Sequence, residues 1–103
     1  MGLLDLIFGN NNKKIKEFES RNAILLDVRT KREYNEAAIG GSLNIPLQEL
    51  HNRVQEVKRL KKPVIVYCLS GVRSGKAAKF LNLNNIETIN GGGWKHVKSV
   101  LGK

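Results

Sequence analysis

Apolar residues along this chain keep two different rhythms. Four short segments, Ala23-Ile24-Leu25-Leu26, Leu43-Asn44-Ile45, Pro63-Val64-Ile65-Val66-Tyr67 and Ile86 to Ile89, have the length and β-branched content of strands. The first and third are apolar throughout, as expected of strands covered on both faces. Between them the spacing turns helical. Ile15 and Phe18 fall within 13–21, Leu47, Leu50, Val54 and Val57 within 47–60, and Trp94, Val97, Val100 and Leu101 near the end, with a further helix over 74–83. The punctuation agrees. Gly9-Asn10-Asn11-Asn12 breaks the chain and caps the helix after it, and Thr30 with Glu33 makes a capping box for another helix. Gly40-Gly41 interrupts, Pro46 closes the short strand, and Asn82, Asn84 and Asn85 form a turn. Gly91-Gly92-Gly93 reads equally as a helix-entry turn or as backbone drawn close to a neighbouring loop. Strands separated by single helices predict an α/β three-layer sandwich, a central, mostly parallel sheet of about four to five strands with helices on both faces. Residues 13–103 form the domain, and 1–12 an apolar, asparagine-rich extension.

Composition narrows the picture. A chain of 103 residues, 41% hydrophobic and 26% charged, is one domain with a packed core and not a disordered segment. Its single cysteine forms no internal disulfide, which fits a reducing compartment, and a cytoplasmic location is expected. His51 and His96 have no metal-ligand spacing around them, so no metal is expected. Met1 to Phe8 is apolar but lacks a basic start, a long apolar region and a cleavage site, and Leu6 stands where a myristoylation signal wants Ser or Thr. Packing of Leu3 to Phe8 on the domain, or a loose partner-binding turn, is the simpler expectation, and nothing reaches membrane-spanning length. The net charge of +9 favours anionic partners, although a solvated surface explains most of it. With six aromatics and no basic stretch interleaved with them, a nucleic-acid partner is not expected.

The candidate chemistry lies in Val66-Tyr67-Cys68-Leu69-Ser70-Gly71-Val72-Arg73-Ser74. A lone cysteine in a small protein is more often core filler than nucleophile. Here it ends a strand and precedes a helix, where backbone N–H groups and the positive helix end converge. Gly71 lets the loop curl into an anion nest, and Arg73 adds a fixed positive charge. No histidine stands near enough in sequence to act as base, so the loop's own field must favour the thiolate. Asp27 and Arg29 follow another strand and belong on the same edge of the sheet. Asp27 is expected to tether a neighbouring loop, Arg29 to pair with Glu33 four residues on, and Tyr34 and Trp94 to pack in the core or at its rim.

Leu26-Asp27-Val28-Arg29, Glu33-Tyr34, Ile39-Gly40-Gly41-Ser42-Leu43-Asn44-Ile45-Pro46, the Cys68 to Ser74 loop, and Gly92-Gly93 with Trp94 together resemble a single-domain rhodanese, in that family's order. The resemblance implies a rhodanese-like fold and a sulfurtransferase. Cys68 would take the outer sulfur of thiosulfate or a persulfide, carry it as a cysteine persulfide, and pass it to cyanide or a thiol, with a sulfur-relay protein as a further partner. The N–H groups of Leu69, Ser70, Gly71, Val72 and Arg73 would cradle that sulfur, Arg73 would help bind the anionic donor, and Asp27, Arg29 and Ser74 would support the loop. No cofactor beyond the covalent persulfide is implied. Two positions depart from the family pattern: Ala37-Ala38 replaces the usual Gly-His, and Trp94 follows Gly93 directly, which shifts the expected register of the last helix. Phosphatases and arsenate reductases of related fold have one more residue in the loop, and the four between Cys68 and Arg73 favour sulfur. A rhodanese-like carrier or binding module is the other alternative.

Overall fold

The computed structural model describes residues 10–103, so the expected packing of Leu3 to Phe8 falls outside it. Helices and strands alternate as α1 (Asn10–Ser20), β1 (Ile24–Asp27), α2 (Lys31–Glu36), β2 (Leu43–Asn44), α3 (Leu47–Lys58), β3 (Val64–Cys68), α4 (Val72–Leu83), β4 (Thr88–Gly93) and α5 (Trp94–Leu101). The strands form one four-stranded sheet in the order β2-β1-β3-β4, every neighbouring pair parallel. This is the α/β sandwich expected, at the lower strand number.

Strand periodicity sorts the core into two layers. Val64, Val66 and Cys68 point to the face where Leu50, Val57, Ala77 and Leu81 of α3 and α4 close over the sheet. Ile65 and Tyr67 point the other way, to Ile15 and Phe18 of α1 and Val97 of α5. All five residues of β3 are buried, which is why its sequence shows no polar alternation.

Several boundaries differ from the sequence reading, each for a tertiary reason. Helix α1 starts at Asn10 and not Lys13, because Asn11 and Asn12 find partners across the fold. Asn11 Nδ2 donates to the Gly91 carbonyl at 3.5 Å, and Asn12 Oδ1 lies 2.8 Å from His96 Nε2. Helix α4 starts at Val72, with Gly71 as its N-cap at φ 100°, a left-handed conformation that suits glycine. Gly91 to Gly93, one of whose readings was a turn, belong to β4. The register steps from Val66↔Asn90 to Tyr67↔Gly92, leaving Gly91 as a bulge. A Cβ at Gly91 would stand 2.7 Å from Val97 Cγ2 and 3.1 Å from Ile65 Cγ2, so α5 packs on bare backbone. Among the described residues no helix is long and apolar enough to cross a membrane.

Candidate active site

The carboxyl ends of β1, β3 and β4 meet at one edge of the sheet, and Cys68 stands at its centre, paired with Gly93 in the register. Its sulfur accepts hydrogen bonds from the Gly71 N–H at 3.0 Å and the Ser74 hydroxyl at 3.3 Å. Burial alone would push the thiol up. Hydrogen bonds from the Ser74 hydroxyl and from the Ser74, Gly71 and Ser70 N–H groups outweigh it and hold Cys68 below its ordinary value. The nest expected between Leu69 and Arg73 is thus carried at the sulfur by Ser70 and Gly71, and extends to Ser74.

The loop is shaped from behind by β4. Asn90 Nδ2 donates to the Gly71 carbonyl at 3.0 Å, while Asn90 Oδ1 accepts from the Ser74 hydroxyl at 2.7 Å and the Gly92 N–H at 2.9 Å. A Cβ at Gly93 would stand 2.8 Å from the Leu69 carbonyl oxygen. The reading of the glycine triplet as backbone drawn close to a loop is the one the structure shows. Asn90 went unassigned in the sequence; its signal was an amide side chain between the last strand and the glycine triplet.

Arg29 does not pair with Glu33. It turns back onto Asp27, with Nε and Nη2 donating at 2.7 to 3.0 Å, and Nη2 also donates to the Ala37 carbonyl at 2.6 Å. The Asp27–Arg29 pair is buried, and the Arg29 guanidinium lies 5.0 Å from the Trp94 ring centroid. No hydrogen bond among the described residues joins the pair to Cys68; the Val28 N–H reaches the Tyr67 carbonyl at 3.1 Å, one residue before it. Asp27 is linked through Arg29 to the Ala37 carbonyl of the segment after α2. Tyr34 sits at the rim, its hydroxyl donating to the Ser42 carbonyl at 2.7 Å.

Glu33 serves Arg73 instead. Its two carboxylate oxygens accept from Arg73 Nη1 at 2.7 Å and Nη2 at 3.1 Å, while Oε1 also accepts from the Thr30 N–H at 3.0 Å. Hydrogen bonding to Arg73, with help from Thr30, holds the Glu33 carboxyl down at about 2. The capping box of α2 therefore clamps the first turn of α4, and the arginine expected to face an anion is engaged by a carboxylate. Nothing among the described residues groups three or more His, Cys, Asp or Glu side chains at metal-binding distance.

Comparison with known proteins agrees with this geometry. A family model described as Rhodanese-like domain matches residues 11–100. The uncharacterized protein YqhL of Bacillus subtilis is 45% identical over 69 residues, covering 67% of this chain and 54% of that protein, so the chain spans about half of that relative. Thiosulfate sulfurtransferase PspE of Escherichia coli is 32% identical over 74 residues, covering 70% of this chain and 71% of that protein. The crystal structure of a rhodanese-related protein from Thermoplasma volcanium aligns with a TM-score of 0.66 at 30% identity, over 88% of this chain and 87% of that one.

Proposed function

The chain belongs to the Rhodanese-like domain family, and from that premise we propose that it is a sulfurtransferase using Cys68 as the covalent sulfur carrier. The observation that carries the reading is the sulfur itself, held below its ordinary pKa by Ser74, Gly71 and Ser70 donors of its own loop. A thiolate stabilised this way is both nucleophile and leaving group. In the first step it attacks the outer sulfur of thiosulfate. The donor's S–S bond breaks, a Cys68 S–S bond forms, and sulfite leaves with the electron pair. In the second step cyanide or a thiolate attacks the terminal sulfur and the Cys68 thiolate departs. No cofactor enters either step. In the persulfide the charge lies on the outer sulfur, one bond beyond Sγ, where the remaining loop N–H groups would cradle it. The 32% identity to PspE, which is named a thiosulfate sulfurtransferase, supports thiosulfate as donor.

The engagement of Arg73 by Glu33 favours a second reading, in which the domain mainly carries sulfur between proteins and turns over thiosulfate slowly. Thiosulfate treatment is expected to add one sulfur to Cys68 by mass spectrometry, and cyanide to remove it as thiocyanate. Cys68→Ser is expected to abolish both with the fold intact. Sulfur loading with slow cyanide turnover identifies the carrier, and a folded protein that takes sulfur neither from thiosulfate nor from a thiol persulfide rejects both readings.

A further inference from the structure

The outer face of α4 is unusual for a helix whose inner face is fully used. Ser74, Ala77, Ala78 and Leu81 are buried against the sheet. On the opposite side Val72 is 67% exposed and Leu83 75% exposed, with exposed Lys76 and Lys79 between them. Positions 72, 76, 79 and 83 are spaced by 4, 3 and 4 residues, so they lie along one line of the helix. Leu69, 59% exposed, extends the line onto the cysteine loop. The line runs for about 16 Å and starts four residues from the buried nucleophile.

Its charge is uncompensated. Among the described residues all seven ion pairs use arginine, and they engage every side-chain carboxylate except Glu19. On the adjacent α3, Glu49 and Glu56 both pair with Arg53, so neither is spent on Lys76 or Lys79. A surface with apolar ends and two lysines between them fits a partner with apolar contacts around an acidic centre. A second copy of this chain brings the same surplus of +9 and is repelled. A nucleic acid would leave Val72 and Leu83 without a contact, and the line carries no aromatic to stack on a base.

Building on the sulfurtransferase reading, we propose that Leu69 and the outer face of α4 dock an acidic protein that delivers a persulfide to Cys68 or takes sulfur from it. Cys68 is 1% exposed, so a macromolecular partner meets Leu69 and Val72 before its sulfur reaches Sγ. The lysines steer and orient that partner, and the apolar ends hold it.

The test uses two synthetic helical peptides, each with a cysteine at one end and leucines matching the spacing of the line, one with glutamates at the central positions and one with lysines. With wild-type protein loaded on Cys68, transfer to the glutamate peptide is expected to be about tenfold faster at low salt, a gap that closes at high salt. Lys76→Glu/Lys79→Glu is expected to invert the preference while thiosulfate–cyanide turnover stays within about twofold. Amide shifts in an NMR titration with the glutamate peptide are expected on α4 and the cysteine loop. Equal rates for the two peptides, or shifts confined to other elements, overturn the proposal. So does a uridine oligonucleotide that shifts α4 where the glutamate peptide does not. Because the titration needs no turnover, it tests docking even if Cys68 accepts no sulfur, an outcome that rejects the sulfurtransferase reading alone.

Discussion

The Ser74 hydroxyl has one proton and two acceptors in reach, Cys68 Sγ at 3.3 Å and Asn90 Oδ1 at 2.7 Å. Beside a neutral thiol it can donate to Asn90 and accept from the S–H; beside a thiolate it is drawn to the sulfur. Ser74→Ala removes the hydroxyl, while Asn90 Oδ1 keeps the Gly92 N–H at 2.9 Å. Without that donor the burial of Cys68 weighs more, so the thiol pKa rises. The ascending limb of the pH–rate profile should move to higher pH, because a hydrogen bond to the charged form is lost. Titration of the ultraviolet thiolate absorbance checks it, and an unmoved limb means that the backbone donors suffice. At this scale Cys68 was legible because its position between strand and helix is a local feature. Asn90 was not, because its three bonds depend on a bulge that only the folded sheet creates.

The capping box of α2 was readable as four adjacent residues, but its second use was hidden in a pairing across 40 positions. Glu33→Gln separates the two uses, since glutamine still serves a capping box but carries no charge for Arg73. The Glu33 pKa is depressed in the folded state, so its contribution to stability is present above the ordinary carboxylate pKa and lost as pH falls from about 4.5 toward about 2. The variant should melt a few degrees below wild type at neutral pH, with the gap closing through that window. A gap that persists at the acid end points to lost packing. The glycines of β4 illustrate another limit. Sequence periodicity marks glycine as a break, whereas here backbone is needed where side chains of α5 and the cysteine loop approach. Gly93→Ala places a methyl group against the Leu69 carbonyl without straining its own backbone, which is extended at φ −75°. Sulfur loading of Cys68 should fall at least tenfold, with a loss of several degrees in melting temperature as the loop backbone shifts; normal loading means that the loop yields without displacing the nest.

At the scale of the molecule, charge is divided by residue type. Among the described residues every arginine but Arg59 pairs with a carboxylate, and the surplus of +9 resides almost wholly on lysines, which join none of the ion pairs. The total was countable from the sequence, but the division was not, because it depends on which side chains the fold brings together. Salt acts on the two populations in opposite directions. It weakens the exposed arginine pairs, which contribute little, and barely reaches the buried Asp27–Arg29 pair. It also relieves repulsion among the surplus charges, confined in a body of 12.7 Å radius of gyration. Each like-charged pair at about 20 Å in water costs ~0.2 kcal/mol, so nine surplus charges accumulate several kcal/mol at low salt. The expanded unfolded chain feels less of this, and the difference opposes folding. Repulsion outweighs the exposed pairs. Raising sodium chloride from low to physiological concentration should therefore raise the melting temperature by a few degrees, and Lys76→Glu/Lys79→Glu, which replaces two positive charges with two negative ones, should show a smaller rise. A wild-type melting temperature that falls with salt means that the arginine pairs dominate, and an equal rise in both proteins places the repulsion away from α4.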